Sequence, residues 1–210
     1  MKFTNGFWLL RREYEPTYAV EYAGHETENE DLIVYAAAKH IASRGDCLNI
    51  GLLRITLSSP MEDVIHVEIT HFDGAAGKPV RPFIYPAPGK VSIREDEDTL
   101  TYESGAAKAV INKAPGNWCI SYYHNDRLLT RTDYRNMARM WNRDTRESYM
   151  VEQLSLGVGE YIYGLGERFT PFVKNGQIVE NWNEDGGTAS EQGYKCIPFY
   201  LSSNGYGSLV

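Results

Sequence analysis

A glycine-rich segment near the C-terminal end of the sequence carries residue types suited to contact with a carbohydrate. Residues 164–187 read GLGERFTPFVKNGQIVENWNEDGG and combine flat aromatic side chains with closely spaced carboxylates and amides. Trp182 and Phe172 are predicted to stack on the C–H faces of a sugar ring, and Glu184 and Asp185 to hydrogen-bond its hydroxyl groups. The two glycines that follow would let the backbone turn sharply. The segment therefore predicts a binding loop.

The same loop is poorly suited to catalysis. Glycoside hydrolysis needs two carboxyl groups held on opposite sides of the scissile bond. Glu184 and Asp185 are sequence neighbours on a glycine-flanked turn, which holds side chains less firmly than a strand or a helix does. Glu167 and Arg168 are adjacent and indicate a structural ion pair. These residues do not make a catalytic pair.

A second group of acid-base residues lies in VIHVEITHF, residues 64–72. Successive side chains of a strand point to opposite faces, so His66 and Glu68 share one face while His71 points the other way. The apolar residues of the segment alternate with that polar pair, which predicts a half-buried strand. The residues on the apolar face are Ile65, Val67 and Ile69. An aldose epimerase-like activity based on this group remains an alternative.

The sequence predicts neither a metal nor a cofactor. Its three cysteines, Cys47, Cys119 and Cys196, are widely spaced and do not form a CxxC pair. They are predicted to be buried free thiols, which places the protein in a reducing cytoplasm. The segment from Asn181 begins like a calcium-binding loop, but Gln192 stands where a bidentate glutamate should complete the ligand shell.

Charge and hydropathy exclude two classes of partner. Twenty-eight acidic residues against 21 basic ones give a net charge of −7, which repels a phosphate backbone and argues against nucleic acid. The apolar run from Phe7 to Leu10 is too short for a signal sequence, and no later run approaches the length of a membrane span. The sequence predicts a protein that binds neither nucleic acid nor a membrane.

Short segments rich in β-branched and aromatic residues recur between turn residues and predict an all-β sandwich or barrel. The predicted strands are 31–37, 52–59, 63–72, 90–95, 99–104, 106–113, 118–125, 127–132, 149–156, 160–166, 197–203 and 205–210. A hairpin is predicted at YHNDRLL, where Asn125 and Asp126 tolerate a positive φ at the turn.

One region departs from the strand pattern. Arginines recur at every fourth residue between residues 127 and 143, which would align them on one face of a helix. Because the first two arginines lie in a predicted strand, a short helix or a long loop is expected after them. Asp133, Asp144 and Glu147 are predicted to form ion pairs with these arginines.

The stretch LSLGVGEYIYGLGERFTPFVKNGQIVENWNEDGGTASEQGYKCIPFYLSSNGYG resembles the end of the N-terminal domain of glycoside hydrolase family 31, and in particular of its bacterial α-xylosidases. The segments NGFWLL, DLIVYAA and VEITHF fit the same pattern in order, so the resemblance spans residues 1–210. It implies a galactose-mutarotase-like β-sandwich, or supersandwich, with few short helices. In that family a (β/α)8 catalytic barrel follows this domain.

The resemblance also implies an activity and a role for the loop. The intact enzyme would be a retaining α-xylosidase that hydrolyses non-reducing terminal α-xylosyl linkages in oligosaccharides, and it would form a homo-oligomer. Both catalytic aspartates would lie on the barrel beyond Val210, so none is expected in these residues. Asp185 matches an aspartate that lines the leaving-group subsite, with Trp182 and Glu184 as its wall.

The final strand stops at Val210 without a cap, so the sequence is expected to continue into that barrel. A free-standing carbohydrate-binding β-sandwich is the other alternative.

Overall fold

The computed structural model describes residues 3–5, 9–71, 88–182, 193 and 195–210. In these residues the regular structure consists of antiparallel strands and one short 3-10 helix, Arg44–Cys47, which confirms the predicted all-β class. The strands are β1 Thr4–Asn5, β2 Leu9–Leu10, β3 Tyr14–Tyr18, β4 Glu21–Glu28, β5 Asp31–Ala37, β6 Leu52–Ser58, β7 His66–Thr70, β8 Val91–Glu95, β9 Thr99–Ser104, β10 Ala107–Asn112, β11 Ile120–His124, β12 Arg127–Thr132, β13 Met137–Asn142, β14 Ser148–Glu152, β15 Ile162–Gly164, β16 Phe199–Ser202 and β17 Tyr206–Leu209.

The chain divides into two compact units. Residues Leu9–Ser155 form the large unit, and Met1–Trp8 together with Leu156–Val210 form the small unit. The large unit contains a four-stranded sheet in the order β4-β5-β6-β7, a five-stranded sheet in the order β12-β11-β10-β9-β8, and a three-stranded sheet in the order β14-β13-β3. The small unit contains the sheet β15-β16-β17.

The core of the large unit is an apolar layer to which both larger sheets contribute. Leu32 and Ile55 come from the four-stranded sheet, and Leu100 and Ile111 come from the five-stranded sheet; all belong to one buried cluster. Trp118, which precedes β11, is fully buried in the same cluster. Full burial of one aliphatic side chain stabilises a fold by about 1.5–3 kcal/mol, so this shared layer holds the sandwich together.

Buried and more exposed residues alternate along the strands, because successive side chains point to opposite faces of a sheet. In β9 the side chains of Leu100, Tyr102 and Ser104 are buried, and those between them are more exposed. Leu100 pairs with Ile111 and Tyr102 with Ala109 on β10, so apolar residues stand opposite one another across the strands.

The predicted hairpin at Asn125 and Asp126 is confirmed. His124 on β11 pairs with Arg127 on β12, which leaves a two-residue turn between them. Asn125 has φ 51° and donates its backbone N–H to the carbonyl oxygen of Ala106 over 2.7 Å. Asparagine adopts this left-handed conformation more readily than most residues do.

The prediction of a helix or a long loop after Arg131 is wrong. Residues Met137–Asn142 form β13, which pairs with β14 on one side and with β3 on the other. Arg139 lies within this strand, whereas Arg143 follows it and pairs with Glu15 over 3.1 Å. The predicted ion pair between Arg131 and Asp133 does form, at 2.9 Å.

No disulfide joins the three cysteines, all of which are described, but they are less buried than the sequence indicates. Cys119 and Cys196 are partly buried, while Cys47 is exposed in the 3-10 helix, so the prediction of three buried thiols is wrong at that position.

In the described part of the chain, none of the helical structure is long and apolar enough to cross a membrane.

A buried carboxylate ties three segments of the large unit together. Glu21, at the start of β4, is 7% exposed. Its oxygens lie 2.6 Å from Nδ1 of His40 and accept backbone N–H groups from Gly116 at 2.8 Å and Ile41 at 3.3 Å. Burial alone would raise the pKa of Glu21, but these hydrogen bonds outweigh it and the pKa is lowered.

Replacement of Glu21 by alanine is expected to destabilise the protein by about 1–3 kcal/mol at neutral pH, because the backbone N–H groups of Ile41 and Gly116 lose their charged, buried acceptor. Since the folded pKa lies below the ordinary carboxyl value, this stabilisation is present above that value and is lost as the pH falls through the lowered pKa. Urea unfolding of wild type and Glu21→Ala at pH 7 and in acid measures both effects.

Glu15→Ala is the matched control, because Glu15 is an exposed carboxylate paired with an exposed arginine. It should cost less than about 1 kcal/mol. Equal destabilisation by the two substitutions would contradict the role given to the buried network.

Candidate functional site

The site begins with a sharp turn in the small unit at GLGERF. Gly164, Leu165 and Gly166 all have positive φ, at 106°, 66° and 87°. The backbone N–H of Leu165 donates to the carbonyl oxygen of Phe199 over 2.8 Å, and that of Glu167 donates to the carbonyl oxygen of Lys195 over 2.9 Å. The turn therefore runs directly alongside residues 195–199.

The close contact requires glycine at position 166. A Cβ there would stand 2.0 Å from the carbonyl oxygen of Lys195 and 2.9 Å from the backbone nitrogen of Ile197. Both are backbone atoms, so a side chain could not be accommodated by a change of rotamer. The positive φ adds a second reason for glycine.

Arg168, two residues after this turn, connects three segments of the small unit. Its Nε donates to the carbonyl oxygen of Leu165 over 2.9 Å. Its Nη2 lies 2.7 Å from the carbonyl oxygen of Glu180 and 3.0 Å from Oδ1 of Asn181. The same nitrogen lies 3.1 Å from Sγ of Cys196. One side chain thus contacts the turn and both segments that flank residues 183–195.

Cys196 extends these contacts to Trp182. Its Sγ donates to the carbonyl oxygen of Trp182 over 2.7 Å. The backbone of Trp182 is therefore held, while the residue is 71% exposed. A solvent-accessible indole on a held backbone is a suitable platform for the apolar face of a sugar.

Trp182 lies in the wall of a concave groove in the small unit. The groove has a volume of about 610 Å³ and is lined by Asn181, Trp182, Cys196, Pro198 and Val210. Its volume falls within the range of small-molecule sites, which is roughly 300–1,000 Å³. Asn181 contributes an amide to a lining that is otherwise mainly apolar.

A buried lysine lies near Arg168. The Nζ of Lys174 donates to Oγ1 of Thr170 over 3.0 Å and to the carbonyl oxygen of Pro171 over 2.8 Å. Burial lowers the pKa of Lys174, and the positive charge of Arg168 lowers it further. Two cationic side chains, Arg168 and Lys174, therefore lie near each other in the small unit.

The structure describes one of the three predicted substrate-binding residues. It describes Trp182 in the groove wall, whereas Glu184 and Asp185 lie outside the described residues. Phe172 is 77% exposed and stacks on Tyr163 at a centroid distance of 5.2 Å instead of lining the groove. The contacts of Arg168 and Cys196 with residues 180–182 were not predicted, since the spacing of residues along the sequence does not reveal them.

The acid-base residues His66 and Glu68 lie on a half-buried polar face of β7. His66 lies opposite Ser58 on β6, and its Nδ1 is 3.1 Å from the serine Oγ. Glu68 shares that face of the strand, and the three aliphatic residues between and beside them pack against the core, as predicted.

Burial lowers the pKa of His71, with a smaller effect from the charge of Arg139. Among the described residues, none of the His, Cys, Asp and Glu side chains form a group of three or more able to hold a metal.

The chain belongs to the family described as the glycosyl hydrolase 31 N-terminal galactose mutarotase-like domain, whose model matches residues 54–210. This match confirms the resemblance seen in the sequence. It also identifies the β-sandwich as galactose-mutarotase-like.

Two curated relatives match the whole chain. Alpha-xylosidase XylQ of Lactiplantibacillus pentosus is 45% identical over 210 residues, which is 100% of this chain and 27% of that protein. An alpha-xylosidase of Emericella nidulans is 36% identical over 231 aligned residues, covering 100% of this chain and 29% of that protein. The chain therefore spans a little over a quarter of the length of these relatives.

Solved structures support the fold. The cycloalternan-forming enzyme from Listeria monocytogenes superimposes with a TM-score of 0.68 at 18% identity, covering 97% of this chain and 18% of that chain. An alpha-xylosidase from a soil metagenome, complexed with xylose, gives a TM-score of 0.62 at 16% identity and covers 88% of this chain and 27% of that chain. At these identities the likeness concerns the fold alone.

Substitution of Gly166 by alanine is expected to destabilise the small unit by at least about 2 kcal/mol, from the strained φ and the contact with Lys195 together. Gly176→Ala is the matched control, since Gly176 has a similar φ of 76° but nothing within 4 Å of its Cβ position. It should cost about 1 kcal/mol. Chemical denaturation measures both, and equal losses would show that the backbone contact contributes nothing.

Proposed function

We propose that this chain is the N-terminal domain of a retaining α-xylosidase, in which residues around Trp182 form part of the leaving-group subsite. The intact enzyme would hydrolyse non-reducing terminal α-xylosyl linkages in oligosaccharides. Family membership and two α-xylosidase relatives that match the whole chain support this substrate class. The observation that carries the subsite role is the exposed Trp182 in the wall of the groove, with its backbone held by Cys196.

The loop chemistry suits the aglycone rather than the reacting bond. An indole face stacks on the apolar face of a sugar, and carboxylates accept hydrogen bonds from its hydroxyl groups. Glu184 and Asp185 follow Trp182 after one residue, so all three side chains belong to a short stretch of chain. Asp185 would bind a hydroxyl of the leaving sugar, and Trp182 and Glu184 would form the wall.

Bond cleavage would take place on a barrel that follows residue 210. One carboxylate there would attack the anomeric carbon of the terminal xylose while a second protonates the glycosidic oxygen of the leaving sugar. Water would then cleave the glycosyl-enzyme intermediate and release xylose with retained configuration. The present chain would orient the leaving sugar during the first step.

An apolar face of the small unit suits contact with that barrel. On β16 and β17, Phe199 pairs with Leu209, and on the same face Leu201 pairs with Tyr163 of β15. Phe199 is 36% exposed, Leu201 51% and Leu209 68%. Contiguous exposed apolar residues mark interaction surfaces. The chain spans 27% of its α-xylosidase relative, and the sequence beyond residue 210 is the occupant that this face would take.

The three cysteines all lie among the described residues and are not joined by a disulfide, which supports a reducing cytoplasm as the protein's location. A homo-oligomer of the full-length enzyme remains a prediction from the family resemblance.

The isolated 210-residue chain is expected to lack glycosidase activity, because the reacting carboxylates would lie in the sequence that follows it. The measurement is the release of a chromogenic phenol from an aryl α-xyloside, with the full-length protein as the positive control. Circular dichroism of the 210-residue chain shows whether it is folded under the assay conditions. Turnover by the folded chain above the buffer rate would refute the proposed division of labour.

Substitution of the loop residues in the full-length protein should reduce activity only when the leaving group is a sugar. Trp182→Ala and Asp185→Asn are each expected to lower kcat/KM on an α-xylosyl disaccharide by about 10-fold or more, since each removes one contact to the leaving sugar. The rate on α-xylosyl fluoride, which has no leaving sugar, should change less than about 2-fold.

Tyr134→Ala is the control for these variants, because Tyr134 is an exposed aromatic residue of the large unit. It should leave both rates unchanged. Equal losses on the disaccharide and on the fluoride would assign the loop to the reacting sugar or to folding, and would exclude the leaving-group subsite.

A further inference from the structure

We propose that Arg168 is the positioning residue of the leaving-group subsite, because its guanidinium holds the backbone that carries Trp182. This inference rests on the proposed function. Arg168 itself does not line the groove, so it would act through the residues that do.

The first support is the distribution of the acceptors of Arg168. Among the described residues, these acceptors lie on three separate segments: the glycine turn at Leu165, the stem that precedes the loop at Glu180 and Asn181, and the stem that follows it at Cys196. Residues 180–181 precede the acidic stretch, and Cys196 follows it. One guanidinium therefore joins both stems of the loop to the turn that Gly166 fixes against Lys195.

The second support is the continuation of these contacts through a thiol. Cys196 Sγ lies 3.1 Å from Arg168 Nη2 and donates to the carbonyl oxygen of Trp182 over 2.7 Å. Arg168 thus reaches the stem twice, directly through Glu180 and Asn181 and indirectly through Cys196. A displacement of the stem changes where the indole of Trp182 meets a sugar, and misplacement by about 1 Å can cost as much as 100-fold in rate.

The chemistry of these contacts favours arginine over lysine. The planar guanidinium presents several N–H donors in a fixed fork, whereas an ammonium is a compact charge on a flexible stem. Nε and Nη2 of Arg168 point to different segments at the same time. A lysine at position 168 would retain the positive charge but could not bridge all of these acceptors.

The kinetic test uses Arg168→Gln and Arg168→Lys in the full-length protein. On an α-xylosyl disaccharide we expect kcat/KM to fall by about 10-fold for both variants, mainly through KM, while the rate on α-xylosyl fluoride changes less than about 2-fold. Arg94→Gln is the control, since Arg94 forms an exposed ion pair with Glu103 in the large unit. Full activity of Arg168→Lys on the disaccharide, with unchanged amide exchange at residues 178–182 in the same variant, would show that charge alone suffices and would overturn the proposal.

The structural test measures amide hydrogen exchange by mass spectrometry in peptides that cover residues 178–182. Exchange there should be about 10-fold faster in Arg168→Gln, and unchanged in peptides from β10. Cys196→Ala, which removes the indirect link and leaves the direct contacts of Arg168 with Glu180 and Asn181, should give a smaller increase. It carries the test if Arg168→Gln does not fold.

The two readouts separate this proposal from the proposed function. Unchanged exchange at residues 178–182 would overturn the positioning role whatever the activity. Faster exchange with unchanged disaccharide turnover would uphold the positioning of the stem and refute the leaving-group subsite.

Discussion

Gly166 lies so close to the carbonyl oxygen of Lys195 that a Cβ at this position would stand 2.0 Å from it. This contact allows residues 164–168 to run against residues 195–199, with hydrogen bonds from Leu165 and Glu167 on either side. Arg168 follows this turn by two residues, and its guanidinium contacts both Glu180 and Cys196. The described residues on either side of the proposed binding loop therefore depend on a steric requirement at the backbone.

The large and the small unit are stabilised by different kinds of contact. In the large unit, two sheets share one apolar layer, and buried carboxylates such as Glu21 satisfy backbone donors at its margin. In the small unit, polar side chains make many of the contacts. Glu160 is 4% exposed and accepts hydrogen bonds from Ser202 and from the backbone of Gly157, while Arg168 and Lys174 donate to carbonyl oxygens. Hydrogen bonds to charged groups depend on the direction of approach, whereas the burial of apolar area does not. These contacts therefore orient the segments that they join.

The all-β class and the positions of most strands could be predicted from the sequence, because alternation and turn residues are local signals. β9 and β12 have the bounds that the sequence indicates, and the Asn125 turn follows from the conformational preference of asparagine. β13 was mistaken for a helix or a loop, because arginines spaced by four residues fit a helix face while the partners β3 and β14 are distant in sequence. Trp182 could be recognised from its type, but Arg168 and Cys196 could not, since their contacts join segments 12 to 28 residues apart.

The open face formed by Phe199, Leu201 and Leu209 has a thermodynamic consequence. Removal of such a surface from water carries a large negative change in heat capacity, and its driving force weakens on cooling. An association between this face and following sequence would therefore be less favourable in the cold than at moderate temperature. Calorimetry of a longer protein would then measure a heat-capacity change of unfolding to which the junction between domains contributes, in addition to their separate cores.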